Sequence, residues 1–369
     1  MKFIKFCVVF ALCFYFAVPN LMAGEIAPPE LQSLNQETIE LYRTGRYDRG
    51  VLVAKQALAL TEQSFGPNHP DVANSLNNLA ILYRAQGKYG QAEPLYKCAL
   101  EINEQSLGPD HPFVAANMNN LALLYRTQGL YVLAEPLYER ALANNEKAFG
   151  PEHPDVANSL NNLAELDRNR GRYVQAEPRY KRALAIYEKA FGPDHPAVAN
   201  SLNNLAELYR SQGLSEQSQP LYKRALLIYE NALGPDHPAV ATSLSNLASL
   251  LTAQGQYVQA KPLYKRSLDI RKKAYGPDHP DVANSLNNLA ELYRNQGEFM
   301  QAEPLYTQAL VIYEKTFGPT YPGIATILTN LAALYTLQGR HALAEPLYKR
   351  SRAIREKALA TDHLLKPVI

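Results

Sequence analysis

A five-residue marker, Gly-Pro-x-His-Pro, returns every 42 residues along most of this chain. It begins at Gly66, Gly108, Gly150, Gly192, Gly234 and Gly276, and a seventh copy, Gly-Pro-Thr-Tyr-Pro, begins at Gly318. A fixed period of this length marks one supersecondary unit repeated, each unable to bury its apolar side alone. Ahead of the first marker, Leu41–Gly66 matches the body of the unit with one residue missing, and Ala-Thr-Asp-His-Leu at Ala360 is a faded eighth marker. The period predicts a degenerate hairpin over 31–65, seven full units over 66–359 and a tail at 360–369.

Each unit reads as two helices. In the unit at Gly276, Gly276-Pro277 stops the preceding helix, as Gly past a helix end and Pro beyond it do. Asp278 or His279 caps the next helix, with Pro280 in its first turn. The apolar positions Val282, Leu286, Leu289, Ala290, Leu292 and Tyr293 fill an arc of about 180°, too wide for one neighbour. Asn295–Phe299 reads as the turn and Gln301–Phe317 as the second helix, with Ala302, Leu305, Tyr306, Ala309, Leu310 and Ile312 inward and Pro304 near its first turn. Hairpins of this kind must stack into an all-α solenoid.

Ala290, Tyr293, Ala302, Tyr306 and Ala309 resemble the signature of the tetratricopeptide repeat family, whose usual unit is shorter. The Gln-Gly-x-Tyr-x-x-Ala-Glu-Pro-Leu-Tyr and Gly-Pro-Asp-His-Pro segments resemble the repeats of kinesin light chains. The resemblance implies a right-handed α-solenoid whose first helices line a concave surface. It implies a protein or peptide partner rather than a cofactor. No heptad-rich segment precedes the repeats, which argues against a motor role.

The N-terminus reads as an export signal. Met1–Lys5 is basic, Phe6–Val18 is apolar over 13 residues, and Ala23 is the expected last residue before cleavage. The apolar run is short for a membrane span, which needs about 20 residues. Residues 1–23 are thus expected to be a signal peptide and 24–30 a linker, with the mature chain periplasmic or secreted. An uncleaved N-terminal membrane anchor is the alternative. Cys7 and Cys13 lie in this segment, leaving Cys98 alone beyond it, at a place held by Arg140, Arg182 and Arg224 in later units. An internal disulfide is therefore not expected. Lys and Arg total 37 against 35 Asp and Glu, a balance that gives no reason to expect nucleic acid or an anionic membrane as partner.

No HExxH, phosphate loop, GxSxG or CxxC occurs, and an enzyme is not expected. His69, His111, His153, His195, His237 and His279 fall one to a unit. Neighbouring units sit roughly 10 Å apart, beyond a shared metal sphere, so these read as turn residues and no metal or cofactor is expected. Glu165, Glu207 and Glu291 precede Arg168, Arg210 and Arg294 by three residues and read as ordinary surface pairs.

The segment Ser-Leu-Asn-Asn-Leu-Ala-Glu-Leu-Tyr-Arg occurs at Ser201–Arg210 and again at Ser285–Arg294, with two poor helix formers side by side. The second Asn is present in all seven units, as Asn78, Asn120, Asn162, Asn204, Asn246, Asn288 and Asn330. Around it the chain varies: Arg84, Arg126, Arg168, Arg210 and Arg294 give way to Thr252 and Thr336, and the place of Glu291 holds Ile81 and Leu123 in early units. These Asn and Arg residues are the candidate peptide-binding set. Two readings stand. The Asn side chains bond the adjacent unit and set the stack, or they form a ladder for an extended backbone, since an amide offers both donor and acceptor. The function expected is an exported protein-interaction scaffold; the alternative is a structural subunit of an envelope or secretion assembly that uses convex and end surfaces. Two departures carry further expectations. Arg352, in place of a core Leu, is expected on a polar outer face, and Asp167 with Arg179 is expected to form a partly buried pair.

Overall fold

A computed structural model describes residues 28–363, with side chains to Lys357. The expected export segment, with Cys7 and Cys13, and residues 364–369 lie outside the described residues. Among the described residues every regular element is an α-helix. The chain divides into two compact units at Leu233 and Gly234.

The first unit holds α1 (Pro29–Arg43), α2 (Tyr47–Phe65), α3 (Pro70–Ala85), α4 (Tyr89–Leu107), α5 (Pro112–Thr127), α6 (Tyr131–Phe149), α7 (Pro154–Asn169), α8 (Tyr173–Phe191), α9 (Pro196–Ser211) and α10 (Ser215–Leu233). The second holds α11 (Pro238–Ala253), α12 (Tyr257–Tyr275), α13 (Pro280–Asn295), α14 (Phe299–Phe317), α15 (Ile324–Leu337) and α16 (His341–His363). Odd and even helices pair as hairpins. Within each unit the second helix of one hairpin packs on the first helix of the next, as α4 does on α5 and α12 on α13. First helices of successive hairpins also touch: α3 with α5, α5 with α7 and α7 with α9, then α11 with α13 and α13 with α15. This is the stacked solenoid that the period requires.

The expected core positions are buried. Val282, Leu286, Leu289, Ala290, Leu292 and Tyr293 of α13 are closed off, with Ala302, Tyr306, Ala309 and Ile312 of α14, while Leu305 and Leu310 are half-buried. The wide arc of α13 is filled from two sides, by α14 and by the flanking hairpins. The second helix starts at Phe299, two residues before the expected Gln301, so Pro304 lies two residues deeper, in the second turn. A Pro inside a helix removes one hydrogen bond. Here Met300 and Pro304 are both exposed, so the freed carbonyl of Met300 stays open to water.

Two left-handed glycines shape each unit. Gly276 turns the chain out of α12 at φ 85° and Gly297 turns it between α13 and α14 at φ 75°, a region that residues with a Cβ disfavour. The marker histidine then opens the next helix. In all six units that have it, Nδ1 accepts the backbone N–H two residues on, at 3.1–3.2 Å. The cap is therefore His279 and not Asp278. In four of the six the ring also packs on the last aromatic of the preceding helix, as His153 does on Phe149 at 4.4 Å between centroids. Tyr321 keeps the stack, 4.1 Å from Phe317, but has no acceptor nitrogen. Helix α15 accordingly lacks a side-chain cap and begins at Ile324, two residues late against the other first helices. Arg352 is exposed, as its place on a polar face requires.

Candidate interaction surface

The two adjacent Asn residues of a first helix do different work. The first points into the seam between repeats. Asn77 donates from Nδ2 to Asn117 Oδ1 at 3.2 Å, and Asn161 donates to Ser201 Oγ at 3.2 Å, each partner lying on the next first helix. Asn77, Asn161 and Asn203 are buried. The second Asn sits one helical step round and is half-buried at Asn78, Asn120, Asn162, Asn204, Asn288 and Asn330, whereas Asn246 is buried. Two of this row reach back to the preceding repeat: Asn162 Nδ2 donates to Asn119 Oδ1 at 3.5 Å and Asn330 Nδ2 to Asn287 Oδ1 at 3.0 Å. Stacking therefore rests chiefly on the first Asn, with Asn162 and Asn330 contributing. Each of those two amides keeps a carbonyl oxygen and a second N–H for another partner.

The arginines beside this row are not an open cationic stripe. Arg168 forks onto Glu165, with Nε to Oε2 at 2.9 Å and Nη2 to Oε1 at 2.6 Å. Arg126 of the preceding repeat reaches the same carboxylate at 3.2 Å, and Arg168 reaches Glu207 of the following repeat at 3.6 Å. Arg210 closes on Glu207, Nε to Oε2 at 2.7 Å. The phenols of Tyr180 and Tyr222 donate to Glu165 and Glu207 at 2.8 Å from the second helices. Burial alone would raise the Glu165 carboxyl; Arg168, then Arg126 and the Tyr180 hydroxyl, outweigh it and hold the group at about 2. The expected surface pairs are thus a half-buried zipper that crosses repeats, because stacking brings the next helix's Glu beneath Arg126 and Arg168. Arg84 is buried too, hydrogen-bonded to the Tyr96 phenol. On α13 the zipper loosens: Arg294 stands 3.8 Å from Glu291.

Asp167 and Arg179 meet as expected, and the pair belongs to a larger set. In three other units the residue at the place of Asp167 is a Tyr that donates to a Glu on the preceding second helix: Tyr125 to Glu93, Tyr209 to Glu177 and Tyr335 to Glu303, each at 2.9 Å. Asp167 cannot donate. Glu135 instead takes both Arg170 and Arg172, and burial, which alone would raise its carboxyl, is outweighed by those two guanidiniums, so it titrates below the usual range. Asp167, 1% exposed, takes Arg179, with Arg172 at 3.9 Å. Cys98 is exposed, as expected. In the units where Arg stands at its place, that residue braces the marker loop, as Arg182 does by donating to Pro151 O at 3.0 Å. No cluster of His, Cys, Asp or Glu fit to hold a metal ion occurs among the described residues.

A tetratricopeptide repeat profile matches residues 40–105, 85–147, 113–189, 155–226, 204–273, 240–310 and 281–357. The chain belongs to the tetratricopeptide repeat family. Its repeats are of the kinesin-light-chain-like kind. A Podosopora anserina protein described as a kinesin light chain with nearly identical TPR-like repeats is 27% identical, over 56% of this chain and 97% of that one, with a TM-score of 0.45. The quorum sensor NprR from B. thuringiensis, in its apo form, is 13% identical over 88% of this chain and 86% of its own, with a TM-score of 0.61. A Rap protein complexed with Competence and Sporulation Factor is 13% identical over 90% and 99%, with a TM-score of 0.56. At that identity the last two likenesses give the fold alone. No curated protein matches the chain.

Proposed function

We propose that this protein is an exported scaffold that holds a peptide or partner protein along the concave groove lined by its first helices. One observation carries the reading. The second Asn of each pair stays half-exposed, in register, on helices that touch one another, while the first Asn has taken over most of the stacking. A repeated amide can serve the N–H and C=O groups of any extended backbone. The changing neighbours, from Ile81 and Leu123 to Glu165 and Glu207, supply selection. Export is supported by Lys2, Lys5 and the apolar run Phe6–Val18. A second reading, contact through the second helices, is favoured by Val132, Val174, Val258 and Met300, which are exposed at one repeated place.

The test uses Asn120→Ala with Asn204→Ala, which spares the stacking bonds of Asn162 and Asn330. Titration of the partner purified from the native envelope fraction should show each lost hydrogen bond weakening binding by about 0.5–1.5 kcal/mol, with circular dichroism unchanged. Unchanged affinity in the folded variant would move the partner surface elsewhere. N-terminal sequencing of the exported protein should begin at Gly24; a chain beginning at Met1 or Lys2 would sink the cleaved signal.

A further inference from the structure

The outer edges of the second helices carry a ladder of ion pairs between neighbouring repeats. Arg140 meets Glu104 and Arg182 meets Glu146 at 2.7 Å, Arg224 meets Glu188 at 2.8 Å and Arg350 meets Glu314 at 2.6 Å. Two rungs fail, with opposite sign. In the first unit the place opposite Glu62 holds Cys98, not Arg. In the second, Lys272 stands at the glutamate's place and Gln308 at the arginine's. Among the described residues Glu62 has no cation partner, and Lys272 and the exposed Lys265 have no carboxylate partner. Glu62 is exposed and Glu101 adds to its charge: burial, then Glu101 and Glu62, raise the pKa of the Cys98 thiol between them.

Each failed rung borders a shallow cavity. In intact rungs the arginine also donates to a marker-loop carbonyl, as Arg140 does to Pro109 and Arg224 to Pro193. At the first failed rung the matching Pro67 lines a cavity of about 470 Å³ with Phe65 and Leu107. At the second, Gln308 lines one of about 540 Å³ with Met300, Pro304 and Thr307. Those three form, with Val311, the outward stripe of α14, and no other second helix has a stripe at these places free of charge. Met300 is 84% exposed and Val311 55%. The two units also differ in sign. Residues 28–233 hold 20 Lys and Arg against 23 Asp and Glu, whereas residues 234–357 hold 14 against 10.

We propose that the two faces are the halves of a contact between copies of this chain: the cationic, apolar face of α12 and α14 on one copy docks on the acidic face of α2 and α4 on the next. Lys272 of one copy meets Glu62 of the other, which remakes between copies the rung that each lacks within. An exposed ion pair is worth little alone, so the charges set the partner and the register. Covering the α14 stripe supplies the apolar burial. The contact is heterologous, one face against a different one, so copies add head to tail. It uses second helices only and leaves the first-helix groove free.

Sedimentation velocity of the purified protein at low salt reads the contact. The parent should associate as its concentration rises, and less at high salt, since exposed charges are screened. Glu62→Lys and Lys272→Glu should each weaken association at least tenfold, with circular dichroism unchanged. An equal mixture of those two variants should associate again, because each supplies the sign that the other lost. Met300→Ser should weaken association without changing its salt dependence. Glu139→Lys, at an exposed acid of α6, should leave it as in the parent. A parent that is monomeric at high micromolar concentration, a mixture no better than its components, or equal loss in Glu139→Lys would overturn the contact. A monomeric parent that binds phosphatidylglycerol vesicles through Lys272 would give the cationic face to a lipid surface and overturn it too. The Asn120→Ala, Asn204→Ala chain should associate like the parent, so failure of the groove and failure of this contact are read separately.

Discussion

Asp167 shows how one charge is accommodated by its surroundings. It is buried, it cannot make the Tyr-to-Glu bond of its counterparts, and three arginines surround the two carboxylates of the seam. Removing one partner of a buried pair leaves an uncompensated charge and costs about 3–5 kcal/mol. Arg179 is partly exposed and Arg172 stands by at 3.9 Å, so Arg179→Ala should fall at the low end, about 3 kcal/mol, read as a drop in thermal midpoint. Asp167→Tyr with Arg179→Leu restores the pattern of the neighbouring units. That double variant should be neutral or more stable, its Tyr hydroxyl meeting Glu135. A double variant less stable than Arg179→Ala would contradict the account. The pairing of Asp167 with Arg179 was legible because two departures fell in one hairpin. The roles of Arg170 and Arg172 were not, since they act on Glu135 of the previous repeat and only stacking brings them together. The same reason hid the zipper: sequence spacing shows Glu165 beside Arg168 on one helix, but the approach of Arg126 depends on how helices cross.

At the level of the element, the marker loop is both a stack and a cap. A His that accepts through Nδ1 must have that nitrogen unprotonated, and a cation at a helix N-terminus is opposed by the helix dipole. His111 has Phe113 two residues on, not the Asp whose carboxylate lies 3.5 Å from the ring of His69 and of His153. Burial lowers the His111 pKa from its ordinary 6.5. The unfolded chain therefore binds more protons in the window below 6.5, and stability rises with pH there. The contribution is complete above 6.5 and is lost as pH falls through the folded value. His111→Asn keeps an acceptor that does not titrate. Between pH 7.5 and 5 its thermal midpoint should fall less than the parent's, with the cap worth about 1 kcal/mol; parallel curves would deny the role. Tyr321 supplies the converse case. A Cβ at Gly323 would meet Tyr321 Cε1 at 2.6 Å, so Gly323→Asp alone should destabilise. Combined with Tyr321→His it should add the missing cap and stabilise by roughly 0.5–2 kcal/mol, a coupling that a thermal double-mutant cycle measures. Helices, turns and core were readable from the period because each recurs. The cap was narrowed to Asp278 or His279, and only the ring's approach to the Asp281 amide decided between them.

For the whole molecule, stability in such an array is close to a sum over units and their interfaces, so one unit should be removable in phase. Deleting Pro151–Gly192 joins Gly150 to Pro193 and restores the Gly-Pro marker. The contacts across the new seam can then be checked one by one. Arg126, which now reaches Glu165, meets Glu207 at the same place. Asn145, which bonds Ser159 Oγ at 3.0 Å, meets Ser201. Glu135 loses Arg170 and Arg172 but receives the Tyr209 hydroxyl that Glu177 accepts at present. Arg224, which pairs with Glu188 at 2.8 Å, finds Glu146 in that role and keeps the Pro193 carbonyl. Glu and Arg stay matched along the zipper, and the buried pair of Asp167 and Arg179 leaves intact, since both lie inside the deleted unit. The shortened chain should therefore keep its helicity per residue by circular dichroism and unfold cooperatively, at a midpoint lowered by the loss of one unit and one interface. A deletion of the same length from Arg168 to Tyr209 would also preserve the period, but it would splice Asp167 against Leu221. That splice leaves one charge of the pair without its partner and should melt lower than the in-phase deletion by the cost of an unpaired buried charge, about 3 kcal/mol. Equal midpoints for the two deletions would mean that Asp167 without Arg179 costs the stack nothing, and that the buried pair is not what holds this hairpin in phase.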